Sequence, residues 1–321
     1  MDPESRKKKG SQPKWASRCD EQGPVRQFDL WVLIITRQMF SRAIVRFPGA
    51  NYTDGLTRGD LGVPDYARAL RQHAAYCEAL ERCGLKLTRL EADERYPDST
   101  FVEDTAVLVQ KPAREQGLAR LDLLEQDQAL PNGRASAIVC ILTRPGAASR
   151  AGEVESIKDV LSQSCPRMHS IQEPGTLDGG DICEAGNHFF IGISERTNEA
   201  GAQQLAELLA SNGYNSSFVD IRDVPNILHL KSGVAYLGDN QLVVTDALAE
   251  CQEFRGYDLV RVSKDEDYAA NCVRVNDNVL IAAGYPRFAR TLANLGYKTI
   301  ALEMSEFQKL DGGLSCLSLR F

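Results

Sequence analysis

From Phe40 onward, short apolar stretches alternate with helical periods. Ala43-Ile44-Val45 reads as a strand. Pro64-Asp65 then opens a helix whose apolar side carries Tyr66, Ala69, Leu70, His73, Cys77 and Leu80 at the 3.6-residue period, and Gly84 ends it just past the last turn. Three later segments read as hairpins of alternating strands. Ile182-Cys183-Glu184 and residues 188–194 flank the turn Gly186-Asn187; residues 233–237 and 242–245 flank Gly238-Asp239-Asn240; residues 272–275 and 279–283 flank Asn276-Asp277-Asn278. Helices are predicted over 198–211, 246–252 and 287–295. Ahead of Phe40 only residues 30–36 have strand character. Lys7-Lys8-Lys9, Pro13 and Gly23-Pro24 break every period there, so residues 1–38 read as an irregular N-terminal extension.

The hairpins belong to a recurring unit: a polar or glycine-containing loop, a strand, a turn, a second strand, a helix and often a further strand. The polar residues that stand before these strands are Asp104, Asp181, His229, Asn271 and Cys316, separated by 77, 48, 42 and 45 residues. Three of the four intervals lie near one period, a repeat signature rather than a two-domain one. The long interval holds residues 111–136, a hydrophilic stretch inside what should be a hairpin, and without those 26 residues it falls to 51. That stretch reads as an insertion. With the N-terminal strand–helix unit, about five related units close around an axis. The expected fold over residues 39–321 is therefore α/β, with each strand-leading loop aimed at one central pocket.

Composition narrows the field. The chain has 321 residues, 43% hydrophobic and 25% charged, which excludes a disordered, collagenous or coiled-coil chain and suffices for a substantial core. A net charge of -7 argues against nucleic acid or an anionic membrane as partner. The longest apolar runs, over 30–35 and 137–142, fall far short of the ~20 residues of a membrane span. Nine scattered cysteines without a C-x-x-C pair or Cys/His ligand spacing fit reduced thiols in a cytoplasmic protein better than a disulfide frame or a zinc site.

Cys316 stands in Asp311-Gly312-Gly313-Leu314-Ser315-Cys316. One cysteine among nine is usually a small buried hydrophobe, but the glycine pair lets the backbone bend and approach a ligand. His229, between Leu228 and Leu230, is on its own a structural residue; with Cys316 it forms a nucleophile and proton carrier only if the fold joins them. The carboxylates of Phe101-Val102-Glu103-Asp104 and Leu177-Asp178-Gly179-Gly180-Asp181 suit turns and caps. Converging in a partly desolvated pocket they need a cation, and a planar guanidinium matches carboxylate oxygens in pairs. Arg150 and Arg196 are surface arginines taken singly, and holders of a substrate carboxylate taken together.

These segments match a known family. The chain resembles dimethylarginine dimethylaminohydrolase (dimethylargininase), of the guanidine-modifying superfamily, at Asp54-Gly55-Leu56-Thr57, Glu94-Arg95-Tyr96-Pro97-Asp98-Ser99, Phe101-Val102-Glu103-Asp104, Leu142-Thr143-Arg144-Pro145-Gly146, Glu195-Arg196-Thr197-Asn198, Leu228-His229-Leu230-Lys231, Tyr268-Ala269-Ala270-Asn271-Cys272, and from Asp311 to the end. The resemblance implies a five-bladed α/β propeller, the pentein fold, and cofactor-free hydrolysis of Nω-methylated arginines to citrulline and a methylamine, with no metal. By position it implies Cys316 as nucleophile, His229 as acid and base, and Asp178 as the carboxylate of the triad. Asp104 and Asp178 then grip the guanidinium with Glu103 in support, while Asp98 and the backbone carbonyls of Leu56 and Leu310 meet the α-amino end. Arg150 and Arg196 take the α-carboxylate. Many bacterial members carry Glu where Asp178 stands, a departure expected to be tolerated.

The expected partner is a small methylated arginine, with no nucleic acid and no membrane; a homodimer is the assembly considered. Two alternatives stay open at this point: another guanidine-modifying enzyme, such as an arginine deiminase or amidinotransferase, and a non-catalytic ligand-binding protein on the same scaffold. The insertion at 111–136, close behind Asp104, threatens to misaim that carboxylate.

Overall fold

The structure is a computed structural model, and it describes residues 39–110 and 138–321. The N-terminal extension, its strand-like residues 30–36 and the insertion lie outside the described residues. Five three-stranded sheets repeat one plan. In the first blade, β1 (Arg42–Arg46) runs parallel to β2 (Lys86–Leu90) across helix α1 (Tyr66–Arg82), and antiparallel to β15 (Leu319–Arg320) at the C-terminus. In the second, β3 (Ala106–Gln110) is antiparallel to β4 (Ile138–Leu142), which is parallel to β5 (Arg167–Ser170) beyond helix α2 (Glu153–Ser162).

The third blade joins β6 (Ile182–Ala185), β7 (His188–Ile193), α3 (Glu199–Ser211) and β8 (Asn215–Asp220). The fourth holds β9 (Val234–Gly238), β10 (Gln241–Thr245) and β11 (Asp258–Val262), and the fifth β12 (Val273–Val275), β13 (Asn278–Ala282), α4 (Pro286–Asn294) and β14 (Lys298–Leu302). Among the described residues no helix is long and apolar enough to cross a membrane.

Local chemistry sets the boundaries. Asp65 caps α1, its carboxylate accepting from the Arg68 amide at 2.9 Å, and Gly84 leaves the helix at φ +93°, a conformation that costs glycine least. Asn198 caps α3 in the same way through the Gly201 amide. The helix expected over 246–252 does not form: this stretch runs through turns into a short 3₁₀ helix, Gln252–Phe254. Its buried positions, Leu248, Ala249 and Phe254, do not fall on one helical face, and Phe254 is drawn inward, edge-on to Phe190 at 5.0 Å.

Five apolar cores lie between successive blades and close the ring. One joins Val107 and Ile141 to Phe189 and Leu205, the next Phe190 to Val244 and Phe254, the next Val243 to Ile281 and Phe288, and the fourth Leu280 to Tyr76 and Leu80. The fifth packs Ile44 and Leu319 against Cys140 and Ile157. Because β15 completes the blade begun by β1, ring closure carries Cys316 to the axis.

The hairpin that contains the insertion is intact. β3 and β4 pair without interruption from Ala106↔Leu142 to Gln110↔Ile138. Gln110 and Ile138, the residues that flank residues 111–137, are therefore at the end of the ladder remote from Asp104.

Candidate active site

The chain makes a short 3₁₀ turn before the first strand of several blades: Val102–Thr105 before β3, Gly179–Asp181 before β6, Leu230–Ser232 before β9 and Ser315–Leu317 before β15. Each turn leads into the strand that pins it, so the side chains in it or just before it are aimed rather than mobile. Asp104, His229 and Cys316 meet in this way at one cleft, together with Leu56, Asp98, Phe101, Arg150, Arg196, Leu228, Leu310, Asp311 and Gly312. Asp178 lies directly behind His229, its Oδ2 at 3.0 Å from the imidazole Nε2, and its Oδ1 accepts from the Gly146 amide at 2.8 Å.

Asp104 is held from two sides. Its Oδ1 accepts from the Gly180 amide at 2.8 Å and its Oδ2 from Arg150 Nη1 at 2.6 Å. A Cβ on Gly180 would sit 2.8 Å from the His229 ring and 2.9 Å from Asp104 Oδ1, so only glycine fits between acid and base. The Gly312-Gly313 pair has the same explanation: a Cβ would lie 2.3 Å from the Phe101 ring at the first and 2.5 Å from the Asn271 amide at the second. Close packing, not an unusual φ, demands these glycines.

Charge is distributed unevenly. Burial opposes ionisation of Asp104, but His229, Arg150 and the Gly180 amide outweigh it and bring the carboxyl down to about 2. Burial alone would push His229 down; Asp104, the Asp178 hydrogen bond and Asp181 together lift it to about 9. The imidazole is therefore protonated at neutral pH. Cys316 goes the other way, since burial and then Glu103 and Asp104 push its thiol up to about 12. Asp98 is also raised, chiefly by burial, and its carboxylate accepts from the Leu56 amide at 3.0 Å. Asp181 stays out of the cleft; it ties Ser194, Thr197 and the Leu230 amide and so steadies the His229 turn.

Two residues sit differently from their expected roles. Glu103, expected to support Asp104, points to the opposite end of the axis, where it meets Lys231 Nζ at 2.7 Å, Ser315 Oγ at 2.8 Å and Arg320 Nη2 at 3.2 Å. Adjacent residues in a tight turn face opposite ways, which is why Glu103 and Asp104 part. Arg150 lines the cleft but is already committed: besides Asp104 it donates to Glu153, at 3.0 Å through Nε and 2.7 Å through Nη2, and to the Phe101 carbonyl. Glu153 was not foreseen; its spacing three residues after Arg150 was the available signal. Arg196 is half-buried and enters no ion pair among the described residues.

Donor atoms of Asp104, Asp178 and His229 lie within 4.8 Å of one another. They suit a metal poorly, because Asp104 is engaged by Arg150 and a ligating imidazole must be neutral.

A sequence profile of the arginine deiminase family matches residues 163–265. The chain is 41% identical over 284 residues to the N(G),N(G)-dimethylarginine dimethylaminohydrolase of Pseudomonas aeruginosa, spanning 88% of this chain and 100% of that one. The chain belongs to the dimethylarginine dimethylaminohydrolase family. The family's enzyme from Streptomyces coelicolor is 31% identical, over 87% of this chain and 96% of its own. In three dimensions a Cys-to-Ser variant of the Pseudomonas dimethylarginine dimethylaminohydrolase, complexed with citrulline, superposes with a TM-score of 0.77 at 40% identity, covering 88% of this chain and 100% of that one. The five blades are thus the pentein architecture of dimethylarginine dimethylaminohydrolases.

Proposed function

We propose that the protein hydrolyses asymmetric dimethylarginine and monomethylarginine to citrulline and the corresponding methylamine through a covalent intermediate on Cys316. The observation that carries this reading is the convergence of Cys316 and the Asp178–His229 pair on one acid-lined cleft. Asp104 receives the flat cation edge-on, and Asp178, behind His229, adds its negative charge. Asp98 and the carbonyls of Leu56 and Leu310 meet the α-ammonium, and Arg196, with Arg150 beside it, receives the α-carboxylate.

A thiol pushed up to about 12 is a weak nucleophile until a cation lies beside it. The guanidinium supplies the missing positive charge, so substrate binding releases the thiol proton to solvent and leaves a thiolate against the guanidinium carbon. Attack forms the S–C bond. The His229 imidazolium gives its proton to the departing nitrogen, the C–N bond breaks and dimethylamine leaves, with a thiouronium on Cys316. Neutral His229 then takes one proton from water as the oxygen adds to the carbon; the C–S bond breaks, the second water proton passes to the departing sulfur, and citrulline and the Cys316 thiol are released. Asp178 keeps the imidazole oriented through both transfers.

The arginine deiminase match over 163–265 favours arginine as the second substrate to test. Citrulline release by purified protein from dimethylarginine and from arginine, side by side, decides: release from arginine alone overturns the proposal. A cytoplasmic setting is supported by the eight described cysteines, all free thiols. The expected homodimer is read by molar mass in solution.

A further inference from the structure

The polar residues before the first strands of the blades include Asn271, which follows its 3₁₀ segment (Lys264–Ala270) and, like Asp104, His229 and Cys316, stands at the 3₁₀ turn that leads into a blade. It is buried and does not line the cleft. Its amide instead bridges two turns that do. Oδ1 accepts from the Ser315 amide at 2.9 Å, Nδ2 donates to the carbonyl of Lys231 at 3.0 Å, and Nδ2 also donates to Ser315 Oγ at 3.2 Å. Donor and acceptor ends therefore have different obligatory partners, and the amide has one workable orientation. Ser315 is the neighbour of Cys316, and Lys231 lies in the turn that His229 begins.

Two further contacts make this a built feature. Gly313 is bare where a Cβ would stand 2.5 Å from Asn271 Oδ1, so the nucleophile's turn is shaped to receive this side chain. Three residues earlier, the Tyr268 hydroxyl donates to the Gly312 carbonyl at 2.9 Å. The segment Tyr268–Asn271 thereby clamps the backbone just before Cys316 at both ends.

We infer that Asn271, assisted by Tyr268, is a positioning residue that fixes the Cys316 turn against the His229 turn. The inference rests on the hydrolytic reading of the cleft. Its physical weight comes from geometry: displacement of a nucleophile by about 1 Å costs on the order of 10²-fold in rate, while substrate contacts elsewhere in the cleft survive.

The test is Asn271→Ala and Asn271→Asp, the latter keeping the acceptor for the Ser315 amide and losing the donor to Lys231. We expect kcat for dimethylarginine to fall about 100-fold in the first and about 30-fold in the second, with KM within threefold of wild type. In the free enzyme, iodoacetamide should label Cys316 at least fivefold faster, read by mass of the Cys316 peptide, because a loosened turn exposes a buried thiol. Slower turnover with faster labelling is a signature that general destabilisation of the fold, with loss spread over kcat, KM and yield, does not produce. Should Asn271→Ala fail to fold, Tyr268→Phe must show the same split at about tenfold in kcat. A kcat within threefold of wild type, or unchanged labelling, overturns the inference. Failure of the wild type to release citrulline sinks the hydrolytic reading alone, since the labelling of Cys316 still reports on the clamp.

Discussion

The two ends of the propeller axis are opposites. Among the described residues the rear cavity is the larger of the two. Its charges balance, three acids (Glu103, Glu184, Asp239) against three bases (Lys231, Arg274, Arg320), with Glu103 between Lys231 and Arg320 and Asp239 on Arg274. The front is smaller and unbalanced. Asp98, Asp104 and Asp311 line it with one protonated imidazole and Arg196; Asp178 and Glu153 add two buried carboxylates just behind, and Arg150 is already shared between Asp104 and Glu153. A cavity whose ion pairs close on themselves has little to offer a charged ligand; one with surplus acceptors and a neutral thiol is set for a cation. Size is the weaker guide to the site.

The largest expected break in this contrast is Cys316→Ser, which should abolish citrulline release while citrulline binding, followed by calorimetry, persists. Asp104→Asn comes next. It removes the cation's carboxylate and leaves Arg150 with one anion fewer, so kcat/KM should fall about 10³-fold. Urea unfolding should show a loss on the order of 3 kcal/mol, the scale for breaking a buried pair.

Protonation sharpens the comparison further. His229 is raised from its ordinary 6.5 to about 9, so its stabilising contribution is complete below pH 6.5 and is lost as pH rises through 9. The thermal midpoint of the wild type should lose its advantage over His229→Gln across that window, and kcat/KM should decline above about pH 9. Asp178→Asn should bring that decline to lower pH. At the rear, Glu103→Gln should cost stability more than chemistry, with kcat/KM within about tenfold of wild type. The smallest effect belongs to replacing residues 111–137 by Asn-Gly, which suits a two-residue hairpin. Because the β3–β4 ladder is complete, kcat/KM should stay within about twofold.

Much of this was legible beforehand. The helix from Asp65 to Gly84, the three hairpins and the repeat of strand-leading polar residues all appear in the structure, because each rests on a local signal: a cap, a turn residue or a period. The misread helix at 246–252 failed because Phe254 was claimed by the core beside Phe190, a contact no local window contains. The roles of Glu103 and Arg150 were blurred for a related reason. Sequence places Glu103 beside Asp104, but only the turn decides that one carboxylate faces the front and the other the rear.

The chain by itself determined the inventory: which strands and helices form, how often the unit repeats, and that carboxylates, an imidazole and a thiol stand at matching points of the repeat. Such features follow from interactions within a few residues. Tertiary structure decided which of those groups meet, which are neutralised by an internal partner, and where their protons reside. Those outcomes depend on distances and desolvation between residues far apart in sequence, and they are set only when β15 returns to β1 and the ring closes.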